Sequence, residues 1–150
     1  MSLIDIRPAL PADVTDIQAC AQLAFAKYIQ RIGRKPAPMH ADTAGQIAKG
    51  YIDVAIYQSR FVGYVVSYPE GEHIHLDSVA VLTPYSGRGI GRRLIEHVER
   101  STKRAGYEAV ELYTNEAMTE NHAMYPALGY IKISRRREAG FNRVYFRKPL

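Results

Sequence analysis

Tyr85-Ser-Gly-Arg-Gly-Ile-Gly-Arg92 is the stretch whose reading decides this fold. An apolar, strand-like run from Ile74 to Leu82 precedes it, and a strongly amphipathic helical pattern follows. Three alternating glycines at a strand-to-helix junction let the main chain curl tightly, so that successive N–H groups point at one place. Behind them the start of a helix presents its partial positive charge. The combination predicts a seat for phosphate.

Two common phosphate loops fail against these residues. A Walker loop needs a second glycine five positions after the first, and five positions after Gly87 stands Arg92. A dinucleotide fingerprint begun at Gly87 and Gly89 also meets Arg92 where it needs glycine. Glu111 does fall about 20 residues beyond the loop, where a ribose-binding acid is expected, but it sits within a strand rather than at its end.

Ser86-x-x-Gly89-x-Gly91 resembles the Q/R-x-x-G-x-G/A signature of the GCN5-related N-acetyltransferase (GNAT) superfamily, whose loop holds the pyrophosphate of acetyl-coenzyme A. Leu76-Asp-Ser-Val-Ala-Val-Leu82 looks like that family's fourth strand. Asn121-His-Ala-Met-Tyr125-Pro-Ala-Leu-Gly129-Tyr130 resembles its second signature, with Asn at a helix start, then Tyr, then Gly-Tyr. The three pieces stand in family order. Ser86 departs from the usual Gln or Arg, which removes a long side chain but keeps the amides. Pro126 departs too: it lacks an N–H and clashes with the preceding turn, so a kink or a late helix start is expected there.

The chain has 150 residues, enough for one ordinary domain over 1–150, and a net charge of +5. Nothing resembles a signal peptide, and no apolar run approaches the ~20 residues of a membrane span. Cys20 is the single cysteine, which excludes an intrachain disulfide and suits a cytoplasmic location; among Ala19, Ala21 and Ala24 it reads as core rather than nucleophile. Basic residues attract polyanions, either coenzyme A or nucleic acid. Nucleic acid would call for base-stacking aromatics interleaved with those cations; Tyr145 and Phe146 near Arg143 and Arg147 read better as a strand, so nucleic acid is not expected.

Strand patterns cover Leu3–Arg7, Asp53–Gln58, Phe61–Tyr68, Ile74–Leu82, Ala109–Thr114, Tyr130–Arg137 and Arg143–Arg147. Helical spacing covers about 11–31, Asp42–Lys49, the segment from the glycine loop to Gly106, and the Tyr125 region. The order β-α-α-β-β-β-α-β-α-β-β predicts an α/β (α+β) fold with helices on both faces of a mixed sheet. It is also the order that the resemblance implies, with a mostly antiparallel sheet of about seven strands.

The resemblance implies direct attack of an amine on the thioester of acetyl-coenzyme A, with no covalent enzyme intermediate and no metal. Amides of Gly87, Arg88, Gly89, Ile90, Gly91 and Arg92, in the loop opened by Ser86, would hold the pyrophosphate. Val79, Ala80 and Val81 would pair through their main chain with the pantetheine arm, a role compatible with sheet core. Asn121 is the family's position for a pantetheine contact, or a simple helix cap. Tyr125 is the candidate acid for the departing thiolate, since a phenol with pKa near ~10 is protonated at neutral pH. Met124, Ala127 and Leu128 are the expected core stripe of that helix, which leaves Tyr125 off it; packing against the sheet is the alternative.

A base is also required. Alternation puts His73, His75 and Asp77 on one face with Val79 and Val81. His75 lies where some family members carry a glutamate base, and Asp77 and Glu116 are further candidates; an exposed strand face and a water relay are the alternatives. On the acceptor side, Tyr28, Arg31 and Met39 with Arg34 and Lys35 point to a small amine bearing a carboxylate or other anion, which Arg31 would bind bidentately; a solvated basic loop is the alternative. Three function readings follow: a small-molecule N-acetyltransferase, an N-terminal or lysine acetyltransferase, and a non-catalytic acyl-coenzyme A binder. Analogy leaves a homodimer open. The run Arg135–Arg137 reads as a charged strand edge.

Overall fold

Between Ala109 and Asn115, buried Val110, Leu112 and Thr114 alternate with half-buried Glu111, Tyr113 and Asn115. That period of two defines a strand with one face in the core. The same logic yields seven strands in the computed structural model, which describes residues 3–150. The strands are β1 (Ile4–Pro8), β2 (Ile52–Tyr57), β3 (Arg60–Glu70), β4 (His73–Val81), β5 (Ala109–Asn115), β6 (Ile131–Glu138) and β7 (Phe141–Pro149). The helices are α1 (Val14–Phe25), α2 (Lys27–Ile32), α3 (Thr43–Ala48), α4 (Ile90–Arg104) and α5 (Thr119–Ala127).

The sheet order is β1-β2-β3-β4-β5-β7-β6. β4 and β5 run parallel, while β1–β2, β2–β3, β5–β7 and β6–β7 are antiparallel. This is the mixed sheet expected from the element order, mostly antiparallel as the resemblance implies. β6 is an edge, so Arg135–Arg137 do occupy an edge strand. The β4–β5 ladder runs from His73 opposite Ala109 to Leu76 opposite Leu112, although β4 continues to Val81 and β5 to Asn115.

Several boundaries differ from expectation. The first helix is not continuous from 11 to 31: a 3-10 turn at Pro11–Asp13 leads into α1, and α1 and α2 are separate at Ala26. There the Ile29 amide bonds the Ala26 carbonyl at 3.2 Å, an i→i+3 link that tightens the chain. Gln58, the expected end of a strand, instead forms the β2–β3 turn with Ser59, both left-handed (φ 50° and 65°). The β6–β7 turn is likewise only Ala139 and Gly140 (φ 50° and 78°). Two central residues with positive φ match the right-handed twist of the strands they join.

By contacts the chain divides into two units. One comprises Met1–Ser67 and Ser78–His97. Its core includes Ile17, Cys20, Phe25, Val54, Val62, Val65, Leu94 and Ile95. A side chain at Gly63 would put Cβ 2.7 Å from the Ala80 carbonyl oxygen, so β3 and β4 approach closely only because Gly63 has none. Asp13 holds the entrance to α1: its carboxylate takes the Leu10 amide (2.7 Å) and Arg7 at 2.8 and 3.2 Å.

The second unit comprises Tyr68–Asp77 and Val98–Leu150. Leu76, Val98, Val110, Leu112, Val144 and Phe146 form its core. Glu99 of α4 accepts from the Tyr130 hydroxyl (2.8 Å) and the Lys148 ammonium (3.0 Å). α5 meets the same side of β7, since Tyr125 packs on Phe146 with centroids 5.9 Å apart. The opposite side of these strands carries His75, Tyr113, Arg143 and Tyr145, as alternation requires.

Candidate active site

Gly87 and Gly89 both adopt left-handed backbone (φ 76° and 80°), with exposed Arg88 between them. Only glycine takes that conformation without strain, and the alternation turns consecutive amides toward one point. The first bond inside α4 runs from the Arg93 amide to the Gly89 carbonyl, 3.1 Å. The amides of Ile90, Gly91 and Arg92 therefore precede the helical ladder. No acidic residue stands in the first turn to compete for them. Bare amides, a helix start and no carboxylate suit a diphosphate. The Ser86 amide does not join this set, because it bonds the Thr83 carbonyl at 3.0 Å. Arg88 lies 5.4 Å from the Tyr85 ring centre, and Arg92 pairs with Glu96 at 3.7 Å.

In β4, Val79 and Val81 are half-buried and Ala80 is buried. The second unit holds His75 and Asp77. His75 is only 4% exposed, so it does not lie on an exposed strand face; the rings of Tyr68 and Tyr113 flank it at 5.2 and 5.3 Å. Its Nε2 faces an Asp77 carboxylate oxygen at 3.5 Å. Burial, with the Asp77 carboxylate next, pushes the Tyr68 phenol well above its ordinary value. Burial also raises Tyr113, with Asp77 adding to the effect and Arg143 opposing it.

Tyr125 is 5% exposed and packs edge-on against Tyr130 (5.7 Å) as well as on Phe146. The expected core stripe of its helix is wrong: Met124 and Ala127 are exposed, Leu128 is half-buried, and Tyr125 is the residue facing the sheet. α5 also begins earlier than Pro126 suggested. It starts at Thr119 with Met118 at its cap position, and Pro126 falls in its last turn, where it neither kinks the start nor delays it. Asn121 is consequently inside the helix and caps nothing. Its amide nitrogen instead donates to the Thr114 hydroxyl at 3.0 Å, tying α5 to the end of β5.

The acceptor-side candidates are not one cluster. Tyr28 is buried against Phe25, with the exposed Arg31 guanidinium 5.2 Å from its ring centre. Met39 lines a cavity of about 450 Å³ together with Thr15, Gln18, Gln22 and Thr43, and neither Tyr28 nor Arg31 is part of that lining. Glu116 is exposed and pairs with Arg135 at 3.3 Å. Among the described residues no group of three His, Cys, Asp or Glu is placed to hold a metal, and no helix is long and apolar enough to cross a membrane.

The family model described as Acetyltransferase (GNAT) family matches residues 17–130, most of the chain and all of the loop and strand just described. The chain belongs to the acetyltransferase (GNAT) family. As a GNAT protein it is an acyltransferase, and acetyl-coenzyme A is its acetyl donor. Its fold is similar to PaiA N-acetyltransferase from Thermoplasma acidophilum, solved in complex with coenzyme A (TM-score 0.82, 16% identity, all of both chains covered). It is also similar to the ribosomal-protein-S18-alanine N-acetyltransferase from Escherichia coli (TM-score 0.80, 17% identity, 98% of this chain and 94% of that one). An acetyltransferase from Thermus thermophilus matches over 100% of both chains at TM-score 0.76 and 20% identity. No curated protein sequence matches this GNAT chain.

Sequence reasoning missed Tyr68, Tyr113 and Tyr145 beside His75. Alternation within β5 and β7 puts Tyr113 on one face with Glu111, and Tyr145 with Arg143, but only the register shows that Tyr113 and Tyr145 are direct partners.

Proposed function

We propose that residues 1–150 work as a single N-acetyltransferase domain that moves the acetyl group of acetyl-coenzyme A directly to the primary amine of a small acceptor bearing a carboxylate or other anion. The observation that carries this reading is the pair of left-handed glycines, Gly87 and Gly89, opening onto the amides of Ile90, Gly91 and Arg92, which precede the first helical bond of α4. Those amides, with Arg88, hold the pyrophosphate. The main chain of Val79, Ala80 and Val81, beyond the last β4–β5 pair, takes the pantetheine amides. Asn121 and Thr114 supply polar groups at the end of β5.

His75, with Asp77 beside it, takes the proton that frees the amine's lone pair. The nitrogen bonds to the thioester carbonyl carbon, the C–S bond breaks, and its electron pair goes to sulfur. Tyr125 gives its phenolic proton to that sulfur and is reprotonated from solvent; the remaining excess proton on the nitrogen and the proton on His75 pass to solvent. General acid and base groups of this kind contribute ~10²–10⁴-fold each. Holding amine and thioester together supplies ~7–11 kcal/mol of the barrier. Tyr28, Arg31 and Met39 lie on the acceptor side, with Glu116 a further acceptor contact. The cytoplasm is the proposed location, a homodimer is compatible with the reading, and neither nucleic acid nor a membrane takes part.

Incubation with labelled acetyl-coenzyme A and separate pools of small amines and peptides, read by thiol release and mass spectrometry, tests this. An acetylated small amine is expected. Transfer to peptides alone would establish the alternative, an N-terminal or lysine acetyltransferase. Coenzyme A binding with no transfer to either pool would leave a non-catalytic binding module.

A further inference from the structure

Four rings stand side by side on the face of the second unit that its helices leave bare. Tyr68 of β3, His75 of β4, Tyr113 of β5 and Tyr145 of β7 follow one another at centroid separations of 5.2, 5.3 and 5.4 Å. α5 and the end of α4 meet the other face, through Phe146 and Lys148. The three tyrosines are half-buried and His75, between Tyr68 and Tyr113, is buried, so the row is reached through its tyrosines.

The row is charged unequally along its length. At the Tyr68 end stand carboxylates: Asp77 beside His75 and Glu70 beside His73. At the Tyr145 end stand guanidinium groups. Arg143 lies 4.1 Å from the Tyr113 ring centre, and Arg136 4.1 Å from that of Tyr145. Glu138 pairs with Arg143 at 3.6 Å, accepts the Tyr145 hydroxyl and also feels Arg136, so two guanidinium groups face one carboxylate and this end keeps a net positive charge.

We propose that the row Tyr68–His75–Tyr113–Tyr145 is the platform on which the acceptor lies, its amine against Asp77 and its carboxylate against Arg143 and Arg136. This rests on His75 and Asp77 meeting the amine, as proposed above. Rings and the Asp77 carboxylate both attract an ammonium ion, and a guanidinium binds a carboxylate in bidentate fashion. Neighbouring strands are ~4.8 Å apart, so the charges to be matched are separated by one to two strand spacings, ~5–10 Å. An α-amino acid, whose charges flank a single carbon, is too short. The acceptor class is an ω-amino acid, or another amine with its carboxylate at the far end of a slender or flat skeleton.

The test compares kcat/KM for 5-aminopentanoate, pentylamine and alanine in wild type, Arg143→Gln and Arg31→Ala. Wild type should prefer 5-aminopentanoate over both others by at least about tenfold, and Arg143→Gln should bring its ratio to pentylamine near unity. Arg143→Lys, which keeps the charge and loses the fork, should give an intermediate ratio and guards against misfolding of the glutamine variant. Equal wild-type rates on 5-aminopentanoate and pentylamine overturn the platform while leaving the transferase intact. So does a preference that survives in Arg143→Gln and collapses in Arg31→Ala. Coenzyme A binding with no amine acetylated overturns the transferase reading and the platform together.

Discussion

His75 and Tyr125 lie against opposite faces of one sheet. His75 stacks on Tyr113, whose ring meets Tyr145, while Tyr125 packs on Phe146, the next residue along β7. The base and acid proposed above, held on two sides of the same strands, suit a transfer in which the amine and the leaving thiolate approach the carbonyl from different directions.

Tyr125→Phe keeps the packing on Phe146 and Tyr130 and removes only the hydroxyl. Turnover should fall by ~10²-fold or more, with coenzyme A affinity nearly unchanged. Steady-state kinetics and calorimetry together check it; full turnover in the variant would leave Tyr125 with packing as its sole role.

Cys20 is fully buried, and burial pushes its thiol up to about 12. A thiol that stays protonated and covered does not react. Native protein should consume Ellman's reagent only slowly, at the rate of its unfolding, and urea-denatured protein at once. Rapid labelling of the native state would reopen its reading as a nucleophile.

The Arg7–Asp13 pair sets an acid limit on stability. The Arg7 hydrogen bond, opposed by burial and aided by the Leu10 amide, lowers the Asp13 carboxyl below its ordinary value. A carboxyl lowered in the folded state adds stability that is complete above its unfolded pKa of ~3.9 and is lost as pH falls through the folded value. Asp13→Asn should cost about 1–2 kcal/mol at pH 7, and the difference from wild type should shrink as pH falls below the unfolded carboxyl value of ~3.9 and vanish once it is beneath the lowered folded value. Urea melts across that range decide it; a constant difference would contradict the assignment.

Glu99 satisfies two groups at once, the Tyr130 hydroxyl and the Lys148 ammonium. Glu99→Ala leaves both without their partner in a largely buried place, so about 2–3 kcal/mol of stability should be lost. A loss under about 0.5 kcal/mol in denaturant melts would place Glu99 among ordinary surface residues.

Much of this was legible in the residues themselves. The strand, glycine loop and helix from Ile74 to Gly106 need only local pattern, and the structure reproduces them to within a residue or two. The α5 face was not legible: a nine-residue helix of Thr, Glu, Asn, His, Ala, Met, Tyr and Pro has no apolar stripe, and its buried side is decided by Phe146 from another strand. The ring row was not legible either. Tyr68, His75 and Tyr113 become neighbours through the order β3-β4-β5, and Tyr145 joins them only because β7, not β6, pairs with β5; nothing local announces that order.

Calorimetric titration of coenzyme A into wild type and Gly89→Glu tests the central claim most directly. At φ 80° any side chain strains the backbone, and a glutamate there sets a like charge against the diphosphate. Wild type should bind clearly and the variant at least ~100-fold more weakly, a loss of about 2.8 kcal/mol. Equal affinity in both proteins would put the phosphate seat elsewhere and contradict that claim.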